Sequence, residues 1–185
     1  MLDRRQSIAE AASHVFADLG YAQASITAIA KASGVTRPTV YTYFESKYEI
    51  LRTVAEQMRD ELLQAQENVT DDPEEILRTT THANLTQWSR NFGVLTVIQH
   101  EALHDPAFVR LLDNINSRAT RRHRRFIEKL TADGRAEPML APQEIVQLHL
   151  GATQRMAMLV WRDPKKLDVH ADALYRSLKV LINLK

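Results

Sequence analysis

Two stretches of this 185-residue chain carry side chains whose types and spacing point to chemistry. The first is Ala30, Gly34 and Val40, set four and then six residues apart, with the run Arg37-Pro38-Thr39-Val40-Tyr41-Thr42-Tyr43-Phe44 around the last of them. Two short helices that cross steeply through a tight turn need a small residue where they approach, a glycine in the turn and an inward apolar residue on the second helix. These three residues meet those needs in order, Ile29 and Val35 add apolar neighbours, and Thr36 offers a hydroxyl as the cap of the second helix. Val40 and Phe44, four apart, then face inward and leave Arg37, Thr39, Tyr41, Thr42 and Tyr43 on or near the outside. A guanidinium at the leading end of such a helix pairs with guanine O6 and N7, and the ring of Pro38 is placed to touch a thymine methyl. Lys47 and the hydroxyls of Ser25, Thr27 and Tyr41 are candidates for phosphate oxygens. The pattern predicts a helix-turn-helix whose second helix enters the major groove of double-stranded DNA.

The second stretch is His100-Glu101-Ala102-Leu103-His104, of the form H-E-x-x-H. On a helix this spacing sets two imidazoles on one face to hold zinc, with the glutamate as general base. A zinc-dependent hydrolase using His100, Glu101 and His104 is therefore the rival reading. Asp105-Pro106 closes the helix at once, and no glycine-containing continuation supplies a third ligand. The expectation is accordingly no enzyme, no catalytic residue, no metal and no cofactor.

The elements that must position these residues follow from composition. Hydrophobic residues make up 44% and charged residues 25% of the chain, the range of an ordinary globular protein. Five glycines and six prolines are too few for the turns of an all-β fold, so helices are expected. The absence of cysteine excludes a disulfide framework, a thiolate zinc site and a thiol nucleophile. The longest apolar run, Met156 to Trp161, is far short of a membrane span, and no signal core follows Met1-Leu2-Asp3-Arg4-Arg5, so a cytoplasmic protein without a membrane partner is expected. Asn68-Val69-Thr70 and Asn84-Leu85-Thr86 are glycosylation acceptors in form only. Net charge is +1, but residues 61–109 carry two basic against eight acidic groups, and residues 110–135 carry eight against three. Arg118, Arg122, Arg125 and Lys129 form a stripe opposite Phe126 and Leu130, read as a solvated face or a partner to the acidic segment.

Along the chain, Ile8, Ala12, Val15, Phe16 and Leu19 recur at helical spacing, and Gly20 ends that helix in a left-handed conformation. Ser25 caps a short helix through Ser33, stopped by Gly34; a third runs from Thr36 or Arg37 to Phe44; Ser46 caps a fourth bearing Ile50, Leu51, Val54 and Met58. Further helices carry Ile76 to Trp88, Val94 to Leu103, Phe108 to Leu130 and Gln143 to Arg162. A last one has its seam at Leu167, Ala171, Leu174, Leu178 and Leu181. Trp88, Phe92, His100, His104, Phe108, Met156 and Trp161 are candidates to line a partly apolar ligand cavity.

Ala12, Phe16, Gly20, Tyr21, Ile29, Ala30, Gly34, Val35, Tyr41, Phe44, Ser46, Lys47 and Leu51 fall in register with one known pattern. With the run from Gly34 to Phe44, they make residues 8–51 resemble the N-terminal domain of the TetR family of bacterial transcriptional regulators. Tyr48 departs from it, standing where an acidic residue is usual. The resemblance implies an all-α protein: a three-helix DNA-binding domain over residues 1–46, then an all-helical ligand-binding and dimerisation domain over 47–185. It implies a homodimer on a palindromic operator, with repression relieved by a small-molecule effector. It also implies that Arg37, Pro38, Thr39 and Tyr43 face bases while Ser25, Thr27, Tyr41 and Lys47 reach phosphates.

Overall fold

The computed structural model describes residues 3–64 and 70–185; Asn68 and Val69 of the first acceptor sequence lie outside them. Among the described residues the chain is all-helical, in the order α1 (Arg4–Gln23), α2 (Ile26–Ala32), α3 (Arg37–Tyr43), α4 (Lys47–Gln64), α5 (Pro73–Arg90), α6 (Phe92–Glu101), α7 (Pro106–Ala132), α8 (Pro142–Arg162) and α9 (Leu167–Ile182). No described helix is long and apolar enough to cross a membrane. By packing, the chain divides into two compact units. One is Met1–Asp60 with Asn91–Ile115, the other Glu61–Arg90 with Asn116–Lys185.

In the first unit the apolar positions expected from spacing become the core: Ile8, Phe16, Ile29, Val40, Ile50 and Leu51 are fully buried. Burying each such side chain contributes about 1.5–3 kcal/mol before the entropy of ordering it. Gly20 takes φ 73 and ψ 168, a backbone region that only glycine adopts readily, so α1 kinks there and runs on to Gln23 rather than stopping. The α2–α3 turn closes as a Schellman motif: Gly34, at φ 67, donates its N–H to the Lys31 carbonyl, and Val35 donates to the Ala30 carbonyl at 3.0 Å. α6 packs on α1, with Gly93 against Ala17; a Cβ on Gly93 would stand 2.7 Å from the Cβ of Ala17.

In the second unit, α5, α8, α9 and the C-terminal part of α7 enclose a core of Leu77, Ile127, Leu130, Ile145, Val146, Tyr175, Leu178 and Ile182. The seam of α9 is as the spacing predicts, with Ala171, Leu174 and Leu178 buried. Gly134, at φ 70, ends α7, and the chain beyond α9 pairs back on residues 135–139, where Ala136 and Leu184 form an isolated antiparallel bridge. α5 is tied to α9 by an ion network: Lys179 Nζ lies 2.8 Å from Glu74 Oε2, the Tyr175 hydroxyl donates to Glu74 Oε1, and the Arg78 guanidinium covers the Tyr175 ring at 4.3 Å. These contacts hold the Glu74 carboxyl below its ordinary range, the Lys179 hydrogen bond foremost.

Candidate nucleic-acid interface and a buried chamber

α3 presents a face with the sidedness that its sequence requires. Val40 is fully buried and Phe44 nearly so, while Arg37, Pro38, Tyr41 and Thr42 are exposed and Thr39 and Tyr43 are half-buried. Thr36 caps the helix, its hydroxyl oxygen accepting the Thr39 N–H at 3.3 Å and sharing a hydrogen bond with the Thr39 hydroxyl at 2.7 Å. Arg37 is the first helical residue although proline follows it, and Pro38 occupies the first turn, where its missing N–H leaves no bond unmade. The Arg37 guanidinium lies along the helix surface, donating to the Tyr41 hydroxyl at 3.4 Å, and it remains solvent-facing.

On α2, Ser25 caps through its hydroxyl oxygen, which accepts the Ala28 N–H at 3.1 Å, and Thr27 is exposed. Lys47 is engaged within the unit: its ammonium donates to the Tyr21 carbonyl at 2.6 Å and sits 4.4 Å above the Tyr21 ring. Tyr21 in turn meets Phe108 edge-on at 5.1 Å, and Tyr48 meets the same ring at 5.5 Å. The unusual Tyr48 thus completes an aromatic cluster.

Arg5 is a positioning residue that spacing did not reveal. Its guanidinium donates to the Tyr43 carbonyl at the end of α3, bonds Glu49 Oε1 at 2.8 Å and Thr53 Oγ1 at 3.3 Å on α4, and covers the Phe44 ring at 4.3 Å. Glu49 also accepts the Glu45 N–H at 2.7 Å while its own N–H donates to the Ser46 hydroxyl, a capping arrangement at the start of α4. The Arg5 bond, then the Glu45 N–H, hold the Glu49 carboxyl below its ordinary range. One arginine therefore fixes the C-terminal end of α3 to α4. The only sequence signal was a basic residue placed ahead of the first apolar position.

Of the seven residues expected to line a ligand cavity, Phe92, His100, His104 and Phe108 belong to the first unit and Trp88, Met156 and Trp161 to the second. Phe108 belongs to the aromatic cluster of the first unit, His100 and His104 are exposed, and Trp161 on α8 is 55% exposed. Phe92 and Met156 are half-buried, Phe92 in the first unit and Met156 in the second. Trp88 does line a chamber of about 40 Å³ in the second unit, with Asn84, Asn116, Thr120, His123, Val146, His149 and Thr153. Burial pushes the His123 imidazole down to about 4, and burial together with the neighbouring His123 pushes His149 down to about 3, so both rings are neutral at pH 7. The rings stand edge to face with centroids 5.3 Å apart. Of this wall only Trp88 is among the residues expected from the sequence; Asn84, Asn116, Thr120, His123, His149 and Thr153 are polar positions on helices that meet only in the fold.

The H-E-x-x-H stretch does not form its expected geometry. α6 ends at Glu101 and His104 lies in the turn that follows, so the two histidines are not successive positions on a helix face. Their ring centroids are 6.0 Å apart, and the described residues include no group of three or more His, Asp or Glu arranged to hold a metal ion.

Residues 8–54 match the family described as bacterial regulatory proteins, tetR family. Over 79 residues, 43% of this chain, the sequence is 37% identical to the HTH-type transcriptional activator FasR of Mycolicibacterium smegmatis, a match spanning 33% of that protein's own length. Among solved structures, a TetR-family regulator from Rhodococcus sp. superposes with a TM-score of 0.81 over 97% of this chain and 98% of that one, at 15% identity. The fatty acid degradation regulator FadR of Bacillus halodurans gives 0.79 over 96% and 95%, at 20% identity. At these identities the likeness is one of fold.

Proposed function

We propose that this chain, which carries a TetR-family DNA-binding domain at residues 8–54 within a TetR-like all-helical fold, is a transcriptional regulator that binds a palindromic operator as a homodimer and is released by a small-molecule effector. The observation that carries the reading is the sidedness of α3: Val40 and Phe44 anchor it while Arg37, Pro38, Tyr41 and Thr42 stand out. Arg37, Pro38, Thr39 and Tyr43 face base edges, and Ser25, Thr27, Tyr41 and Lys47 reach phosphates. For Lys47 this requires its ammonium to bridge from the Tyr21 carbonyl to a phosphate oxygen, which its three donors permit.

The homodimer is supported by apolar side chains left in solvent on the last two helices. Leu148 on α8 and Val169 and Val180 on α9 are each more than half exposed, and Gly151 gives α8 a flat place for close approach. Two copies pairing through α8 and α9 bury these residues and place two α3 helices on adjacent major grooves. Effector binding in the second unit favours a head spacing that no longer matches the half-sites, a shift of population with no chemical step.

Selection of bound sequences from a random duplex pool tests this. A palindrome with half-sites one helical turn apart is expected, and failure to enrich any sequence overturns the reading. We propose repression as the direction of control, so deletion of the gene raises the transcripts next to the selected operator; a fall instead makes the protein an activator, as the M. smegmatis relative is named.

A further inference from the structure

The basic stripe of α7 is left unspent by the fold. Arg118, Arg121, Arg122, Arg125 and Lys129 are all exposed. At about 3.6 residues per turn they lie within an arc of about 100°, turned away from the buried Ile127 and Leu130. None of the five pairs with a carboxylate among the described residues. The one acid within the stretch, Glu128, faces Arg124 on the flank at 3.4 Å. Like charges three and four residues apart repel one another, a standing cost that an anionic partner removes. The unit that carries α3 has eight basic against ten acidic residues, and the unit that carries the stripe has sixteen against thirteen. Long-range attraction to phosphate is therefore stronger at the stripe than the recognition unit's own balance provides.

We propose that this face of α7 is a second nucleic-acid surface, which grips the phosphate backbone of double-stranded DNA without regard to sequence; the choice of duplex as the polymer rests on the DNA-binding reading of residues 8–54. Four of the five cations are arginines, whose planar fork of donors matches phosphate oxygens in pairs. The row is roughly 16 Å long at about 1.5 Å per residue. A duplex carries a negative charge about every 1.7 Å of its axis, so a face of that length meets several phosphates at once. A lone phosphate or nucleotide engages only one or two of the five. No large apolar side chain is exposed between residues 110 and 138. A helix held at a membrane surface pushes apolar side chains past the headgroups, and a protein partner seats apolar or aromatic residues at the centre of its contact. The stripe offers neither.

The test measures the affinity of the full chain for a fluorescent random-sequence duplex, by anisotropy, over a series of salt concentrations. Arg118→Gln, Arg122→Gln and Arg125→Gln together are expected to weaken binding about tenfold or more at about 0.1 M salt. They should also lower the slope of log affinity against log salt by about 2.7, three contacts at about 0.9 each, for each copy of the face engaged. Glutamine is a good helix former and the three sites are exposed, so the melting temperature is expected to stay unchanged or rise. Arg162→Gln, Lys165→Gln and Lys185→Gln together remove the same charge from exposed places elsewhere on the second unit and are expected to leave the slope nearly unchanged. Lysine at 118, 122 and 125 keeps the charge and is expected to restore most of the slope. Equal losses from the two glutamine triples overturn the proposal, as does tighter binding of a single-stranded RNA with the same dependence on α7. No operator enters this measurement. Its failure leaves the palindromic operator standing, and failure to select an operator leaves the contrast between the two triples to be read on random duplex.

Discussion

The neutrality of the chamber makes a quantitative prediction about pH. His149 is 6% exposed, and burial with the neighbouring His123 ring lowers its imidazole to about 3, against an ordinary value of 6.5 when the chain is unfolded. Above pH 6.5 neither state is protonated and the folded protein has its full stability. As pH falls from 6.5 toward 3 the unfolded chain takes up a proton that the folded chain refuses, so stability declines across that window and levels off below it. At pH 5 the difference is one and a half pH units at about 1.4 kcal/mol each, or about 2 kcal/mol. His149→Gln removes the titrating group while keeping a polar side chain. Urea unfolding of wild type and variant at pH 7.5 and pH 5, at one protein concentration, reads the effect. Wild type is expected to lose about 2 kcal/mol more than the variant on acidification, close to 1 M in midpoint for a slope of about 2–3 kcal/mol/M. The depressed carboxyls of Glu49 and Glu74 are common to both proteins, so their contributions cancel in the comparison. Parallel losses in the two proteins would show that His149 is not held neutral by its surroundings.

Arg37→Ala is expected to cost roughly 1–3 kcal/mol in operator binding and to relax discrimination at one base pair, read by competition with single-substituted duplexes; an equal loss on every sequence contradicts base contact. Lys47→Ala should reduce the slope of log affinity against log salt by about 0.9 per head. An unchanged slope with a lowered melting temperature assigns Lys47 to its Tyr21 contacts alone. Gly93→Ala drives a methyl into Ala17 and is expected to destabilise by roughly 1–3 kcal/mol, with recovery on adding Ala17→Gly; absence of that recovery places the fault elsewhere. Arg5→Leu should speed amide exchange across residues 37–44 and weaken operator binding without changing which bases are preferred, since the Arg5 guanidinium is spent on the Tyr43 carbonyl, Glu49 and Thr53. A changed base preference would refute that positioning role.

The sequence was most readable where local chemistry decides the outcome. Ser25, Thr36 and Gly34 act within four residues of themselves, and each does in the structure what its type predicts. Apolar spacing likewise found Val40, Ile50 and the α9 seam, because burial follows helical period. It does not separate aromatic residues by the surroundings they take: Phe108 meets Tyr21 and Tyr48 edge-on in the first unit, and Trp88 borders the chamber of the second. Arg5 and the pair His123 and His149 were invisible for a related reason. Their partners lie 44 or 26 positions away, and a lone arginine or histidine carries no signal until the fold brings its partner close. The H-E-x-x-H match failed by a single turn, since α6 stops at Glu101 and the motif means nothing off a helix.

The excursion Asn91–Ile115 belongs with the N-terminal residues, not with the sequence on either side of it. Anyone swapping DNA specificity between this protein and a relative must treat these two segments as a single cassette. A transplant of residues 1–60 alone would set a foreign side chain at position 17 against the host's Gly93 and a foreign ring at position 21 or 48 against the host's Phe108. Carrying 91–115 along with the graft keeps those matched surfaces from one parent.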